Sequence, residues 1–194
     1  PASMQALNYL KPILGLQFTA TPKSTSNVIY SYDLARGAVE GYLKTPVVMG
    51  RSNMAGYSDE DIEEMKIRDG LSLHEHRKTV LREYCNEHED VDYVKPIVLI
   101  ACKDTNHAKH IRELIDNDKF QNGKYRGKVI EIHSNMKGEE TEENVRLLLS
   151  IERSDNPIEI VLHVYKLKEG WDVNNLFTII PLNAAKSDIL AMQT

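Results

Sequence analysis

The sequence predicts an α/β fold: a mostly parallel sheet with helices on both faces, in three layers. Three observations predict it. Short apolar runs rich in β-branched residues alternate with segments of helical period through the second half of the chain. The connections between them are short, and a short crossover between parallel strands packs a helix back onto the sheet. The 194 residues are 41% hydrophobic and 27% charged. A chain of that length buries about 70% of its unfolded surface, so it can build a core without disulfides or metals.

In the first half, Leu14–Ala20 reads as a strand ended by Thr21-Pro22, and Val28–Tyr32 as another. Met49–Gly70 is polar and acidic and contains Gly50, Gly56 and Gly70, which predicts a surface insertion or mobile loop. Ser72-Leu73-His74-Glu75 has the form of a capping box. It would open a helix with a face of Leu73, Val80, Leu81 and Tyr84, running to about His88.

The second half is more regular. Ile97–Cys102 is an unbroken apolar run, the pattern of a buried strand. Asp104 or Thr105 can cap a following helix whose apolar positions are Ala108, Ile111, Leu114 and Ile115. Asn122-Gly123 ends that unit, and Lys128–His133 is the next strand. Val145, Leu148 and Leu149 mark a second helix, stopped at Asn156-Pro157. Ile158–Tyr165 and Leu176–Leu182 supply the third and fourth strands. No internal repeat or low-complexity tract interrupts this order.

The net charge of −5 excludes a uniformly basic wrapper of nucleic acid. The segment Ser58–Asp92 holds 12 acidic and 5 basic residues, a net of −7, which leaves +2 on the remainder. A local basic groove is therefore compatible with the total. No run approaches the roughly 18 apolar residues of a membrane-spanning helix. Pro1–Pro12 lacks the sections of a signal peptide, and a start at Pro1 rather than Met predicts a fragment or processed chain. Cys85 and Cys102 have no metal-binding spacing and form no disulfide scaffold, which fits a reducing cytoplasm. Cys102 closes an apolar run as a small core residue.

Several chemistries lack their motif. Gly123-Lys124-Tyr125-Arg126-Gly127-Lys128-Val129 has three residues between its glycines where a phosphate loop has four, and Val129 stands where Ser or Thr would hold magnesium. It precedes a strand instead of following one, so it reads as a basic surface turn. There is no GxGxxG and no Gly-x-Ser-x-Gly elbow. His74 and His76 would point to different helix faces. His107 and His110 are three apart and could face one site, but no carboxylate or cysteine partner stands out.

Three further segments stand out, the first two of them at the carboxyl ends of strands, where α/β sheets bind ligands. Phe18-Thr19-Ala20-Thr21-Pro22 places two hydroxyls at a strand end; it also reads as a plain turn. Lys166-Leu167-Lys168-Glu169-Gly170-Trp171-Asp172 follows the third strand. There Gly170 permits close backbone approach to a ligand, and Asp172 is an acceptor suited to a ribose hydroxyl or, equally, to a helix cap. Ser187–Thr194 reads as the start of a helix capped by Ser187.

Together these segments resemble a superfamily 2 helicase, and within it the restriction (Res) subunit of type III restriction-modification enzymes. Phe18–Pro22 resembles motif III, at the end of the first RecA-like domain. Val98–Thr105 resembles motif IV, the first strand of the second RecA-like domain. His133-Ser134 resembles the segment after that domain's second strand, which faces nucleic acid. Leu167–Val173 resembles motif V, and its Glu-Gly-Trp-Asp form is the type III variant. Gln193-Thr194 would open motif VI. Val164 stands where the superfamily often has Thr near the start of motif V.

The resemblance implies an organisation and a function. Residues 1–45 would be the end of the first RecA-like domain and a connection, 46–95 an acidic variable segment with a helix, and 96–194 the second RecA-like domain, cut within motif VI. The phosphate loop and magnesium-binding acidic motif would lie before Pro1, and the motif VI arginines after Thr194. The chain would be part of an ATP-dependent DNA helicase or translocase motor. Glu169, Gly170, Asp172 and Gln193 would bind nucleotide; Lys103, Thr105, His133 and Ser134 would face nucleic acid; Thr19 and Thr21 would couple the two sites. ATP and Mg2+ would be the cofactors of the full-length protein, with none bound by this chain alone. The partners would be DNA and a modification (methyltransferase) subunit, in the cytoplasm and away from membranes. The alternative is a RecA-like scaffold for DNA docking or protein binding without its own ATPase, with the acidic segment as its interface.

Overall fold

The computed structural model describes residues 9–11, 13–16, 18–19, 27–133, 142, 146–164 and 173–182. The chain divides into two compact units, Pro1–Arg51 and Ser52–Thr194. Within the first, a short helix α1 (Leu34–Val39) is capped by Asp33, whose carboxylate accepts from the Arg36 N–H at 2.8 Å. The strands expected at Leu14–Ala20 and Val28–Tyr32 do not form among the described residues of those stretches. Ile13, Leu14, Leu16, Phe18, Ile29 and Tyr30 are all exposed there. Strand-forming composition does not make a strand without a neighbour to pair with.

The second unit opens with a long helix, α2 (Asp59–Glu87). This overturns the expected loop at Met49–Gly70 from residue 59 onward. The capping box is Ser58 with Asp61: the Ser58 hydroxyl accepts the Asp61 N–H, and the Asp61 carboxylate accepts the Ser58 N–H, each at 3.2 Å. Asp59, Glu60 and Asp61 in the first turn complement the helix dipole, so the acidic run starts a helix rather than solvating a loop. Ser72, expected as the cap, sits mid-helix and donates its hydroxyl to the Arg68 carbonyl at 2.8 Å. The buried stripe is Ile67, Gly70, Leu71, His74 and Lys78, not Leu73, Val80, Leu81 and Tyr84.

The sheet follows as predicted. Strand β1 (Ile97–Ala101) is buried throughout and leads through Asp104, the N-cap, into α3 (Thr105–Asp116). The Asp104 carboxylate accepts the His107 N–H at 2.9 Å. A 3-10 turn at Gln121–Gly123 reverses the chain; Asn122 and Gly123 take φ of 57° and 69°, which explains the Asn-Gly pair there. Strands β2 (Val129–His133), β3 (Ile160–Val164) and β4 (Leu176–Pro181) complete a four-stranded sheet in the order β2-β3-β1-β4. Every pairing is parallel.

Each sheet face has its own core. On one, Val98, Ile100, Ile160 and Ile180 pack with Ile67 and Leu71 of α2 and with Ala108, Ile111 and Ile115 of α3. On the other, Leu99, Ile130 and Val161 pack with Leu148 and Ile151, at and just after a helical turn over residues 146–149. Helices therefore cover both faces, as the alternating pattern requires. Cys102 is buried in the first core, and that burial pushes its thiol up to about 12, the behaviour of an inert core residue.

Gly70 sets the approach of α2 to the sheet. A Cβ there would lie 2.4 Å from Ile180 Cδ1 and 2.6 Å from Ile180 Cγ1. Gly70→Ala is expected to lower stability by about 1–2 kcal/mol, because the overpacking cost exceeds the helix-propensity gain of alanine. Thermal unfolding measures it, and adding Ile180→Val should not make the loss worse if the clash is its cause. An unchanged or raised midpoint for Gly70→Ala alone would show that the helix shifts freely.

Candidate functional site

Because all four strands are parallel, their carboxyl ends lie along one edge of the sheet, where open α/β sheets bind ligands. Cys102, Lys103, Asp104 and Thr105 leave this edge from β1. His133 is the last residue of β2, two positions away across β3. Thr105 is the first residue of α3 and is half-buried. The loop after β1 is shaped by a residue the sequence did not single out. Glu63 of α2 accepts from His107 Nε2 at 2.9 Å and pairs with the Lys103 ammonium. His107 Nδ1 accepts the Lys103 backbone N–H at 3.1 Å, so the network puts the ring proton on Nε2. Burial pushes the Glu63 carboxyl up, but Lys103 and His107 outweigh it and hold it below its ordinary value. Both ring nitrogens of His107 are thereby engaged, and His110 is exposed; they do not form the shared site that their spacing allowed.

The opposite, amino edge carries a second cluster. Glu159, just before β3, accepts from Lys78 at 2.7 Å, from Lys128 at 2.8 Å and from His74 Nε2 at 3.2 Å. Glu75 accepts from Lys124 at 2.7 Å, from the Tyr125 hydroxyl at 2.8 Å and from Lys78 at 3.2 Å. Burial pushes the Glu75 carboxyl up, but these donors outweigh it and bring it down to about 2. Glu159 is held well below the carboxylate range in the same way by His74, Lys128 and Lys78. Burial pulls the Lys78 ammonium down and its two carboxylate partners more than restore it.

His74, Glu75 and Glu159 lie close enough to hold a metal ion. Three ammonium groups already surround the two carboxylates, a balance of +1 before any cation arrives, so the cluster fits a structural clasp rather than a cation site. It also closes the Gly123–Val129 turn to a phosphate. Lys124 and Lys128 point into the clasp, and the Gly127 N–H is taken by the Asp116 carboxylate at 3.1 Å. The turn lies at the edge opposite the carboxyl ends of the strands, and Lys124, Arg126 and Gly127 are exposed, in agreement with its reading as a basic surface turn. His76, on the same helix as His74, is exposed while His74 is buried, as their spacing required.

The remaining expected site residues divide simply. Thr19 is exposed in the first unit. Thr21, Ser134, Glu169, Gly170, Asp172 and Gln193 lie outside the described residues, as does the side chain of His133. The structure thus brings Lys103 and Thr105 together at the carboxyl edge and adds Glu63 and His107. Glu63 was hidden by distance along the chain, 40 residues from Lys103. His74 and Lys78 were hidden because they continue an apolar stripe with polar side chains.

The chain is similar to the probable type III restriction-modification enzyme HindVIP Res subunit of Haemophilus influenzae, with 50% identity over 40 residues. That stretch is 21% of this chain and 8% of the relative's length. No family profile matches the chain, and no solved structure matches it. The likeness supports, over a fifth of the chain, the resemblance that its motifs carry to Res subunits. Among the described residues no helix is long and apolar enough to cross a membrane.

Proposed function

We propose that this chain is part of a DNA-dependent, ATP-driven helicase or translocase motor of the kind that type III restriction enzymes carry, and that it forms the second RecA-like half of that motor. The observation that carries the reading is the 40-residue likeness to a Res subunit at 50% identity. The parallel sheet with helices on both faces is the architecture such a half requires. On this reading residues 1–45 are the end of the first half and a connection, 46–95 are an acidic variable segment with a helix, and 96–194 make up the second half. Glu169, Gly170, Asp172 and Gln193 contact nucleotide. Lys103, Thr105, His133 and Ser134 face the nucleic-acid backbone, which is held through phosphates rather than read by base. Thr19 and Thr21 couple the two. ATP with magnesium supplies the driving free energy, and a cytoplasmic methyltransferase subunit is the protein partner.

The direct test is DNA-stimulated ATP hydrolysis by the longer polypeptide that the reading requires, with its own phosphate loop. Absence of stimulation there overturns the proposal. The 194-residue chain alone gives a second test. It is expected to release no phosphate from ATP above buffer, because its one glycine-rich basic turn is closed by carboxylates. It is expected to bind DNA without sequence preference through two or three phosphate contacts, so affinity should fall about 10- to 40-fold between 50 and 200 mM salt. Anisotropy titrations with two unrelated oligonucleotides measure this. Tight, salt-independent binding to one sequence alone would point to a recognition module instead.

A further inference from the structure

We infer that Glu63 is a built-in competitor for the phosphate that Lys103 would hold, so that nucleic acid binds this edge by displacing a carboxylate. The inference rests on the reading of the carboxyl edge as the nucleic-acid side. Lys103 leaves the sheet at the end of β1 with its side chain half exposed, and its ammonium is paired with Glu63. The Glu63 carboxylate is only 16% exposed and is anchored independently: its other oxygen accepts from His107 Nε2 at 2.9 Å. Glu63 sits on a 29-residue helix whose Ile67 and Leu71 are fully buried against the sheet. The acid is fixed and the lysine, on four methylenes, is the member that can swing. His107 also accepts the Lys103 backbone N–H at 3.1 Å, so the loop stays in place when the ammonium leaves. Asp59 in the first turn of α2 and Asp104, which caps α3, also act on the Lys103 ammonium, each less strongly than Glu63. A phosphate oxygen offers Lys103 the same charge-assisted bond as Glu63. One charge of binding free energy is therefore spent on exchange rather than gained outright.

Glu63→Gln separates the two roles of the residue. Glutamine keeps an oxygen for the His107 Nε2–H and removes the charge that holds Lys103. The experiment uses the whole chain and a fluorescein-labelled 20-nucleotide single strand at low salt, with the thermal midpoint recorded for each variant. Glu63→Gln is expected to tighten binding about two- to five-fold, the size of an exposed ion pair. The Glu63→Gln/Lys103→Met double variant should lose that gain. Competitive amine labelling read by mass spectrometry should show Lys103 more reactive in Glu63→Gln than in the unaltered chain. Binding that is unchanged or weaker in Glu63→Gln, with the midpoint kept, overturns the inference. A gain that survives Lys103→Met overturns it as well, since Lys103 would not be the group released. In both cases the chain still binds DNA and the proposed function stands. No binding by any variant removes the nucleic-acid reading of this edge and the inference with it.

Discussion

Glu159→Gln is expected to destabilise the sheet unit by about 3 kcal/mol, a fall of roughly 10 °C in the thermal midpoint. Glutamine keeps the shape and an acceptor oxygen but removes the negative charge that faces Lys78, Lys128 and His74. Lys128 is partly exposed and water replaces much of what it loses. Lys78 has a side chain only 10% exposed and keeps Glu75, at 3.2 Å, as its one remaining carboxylate partner, so most of the loss falls there. The pH dependence separates this from a packing defect. Both Glu159 and Glu75 are held below their ordinary 4.5 in the folded state. Their contribution is present above that ordinary value and is lost as pH falls through it toward about 2. The unaltered protein should therefore lose stability between about pH 5 and pH 2. Glu159→Gln should lose less over that window, so the two curves draw together in acid. Urea unfolding at stepped pH measures both. A constant offset at every pH, or a loss under about 1 kcal/mol at neutral pH, would show that the clasp contributes packing and not charge.

The central strands announce themselves because they are buried on both faces: Ile97–Ala101 is buried throughout, and Ile160–Val164 admits only the half-buried His163. Helix α3 is legible for a related reason: Ala108, Ile111 and Ile115 face the core at regular helical spacing and Asp104 caps them. Helix α2 hides its first turns. Its buried stripe contains Gly70, His74 and Lys78, which no count of hydrophobic residues registers, and its first turn is acidic, which resembles a solvated loop. The glycine that suggests a break is there to let Ile180 approach. The first unit shows the opposite failure, with apolar stretches such as Val28–Tyr32 that have the composition of a strand and, among the described residues, no strand beside them.

The candidate site was legible where chemistry follows from position in the sheet, and not where it follows from tertiary approach. Lys103 and Thr105 come directly after a buried strand, so their place at the ligand edge follows from the alternation alone. Nothing in the sequence around Glu63 marks it as their neighbour. It reaches the same edge only because α2 packs along the sheet with its start near Lys103 and its middle near Glu159. Helix α2 carries acids of the Ser58–Asp92 segment to both edges of the sheet. Glu63 and Glu75 each neutralise lysines of the sheet's connections, so the segment is part of the domain's charge balance.

On the proposed motor function, Asp172→Ala in the longer polypeptide which that reading requires is expected to raise the apparent KM for ATP by about 10- to 150-fold. Loss of a hydrogen bond to a charged acceptor costs on the order of 1.5–3 kcal/mol, and that range converts to those factors. The expectation follows from the place of Asp172 in the motif that begins after β3, beside Gly170, where a carboxylate suits a ribose hydroxyl. A cap role predicts something different. A side chain that only caps a helix contributes about 1 kcal/mol to stability and nothing to nucleotide affinity. Measuring DNA-stimulated hydrolysis and the thermal midpoint on the same preparations separates the two. A raised KM with the midpoint unmoved supports the ribose contact. A lower midpoint with unchanged kinetics assigns Asp172 to the cap and removes it from the nucleotide side. Trp171→Phe is the control: it leaves the carboxylate in place and is expected to act through packing, so it should move the midpoint more than the KM. If Trp171→Phe raises KM as much as Asp172→Ala does, the segment acts on nucleotide through its packing rather than through the Asp172 oxygen atoms.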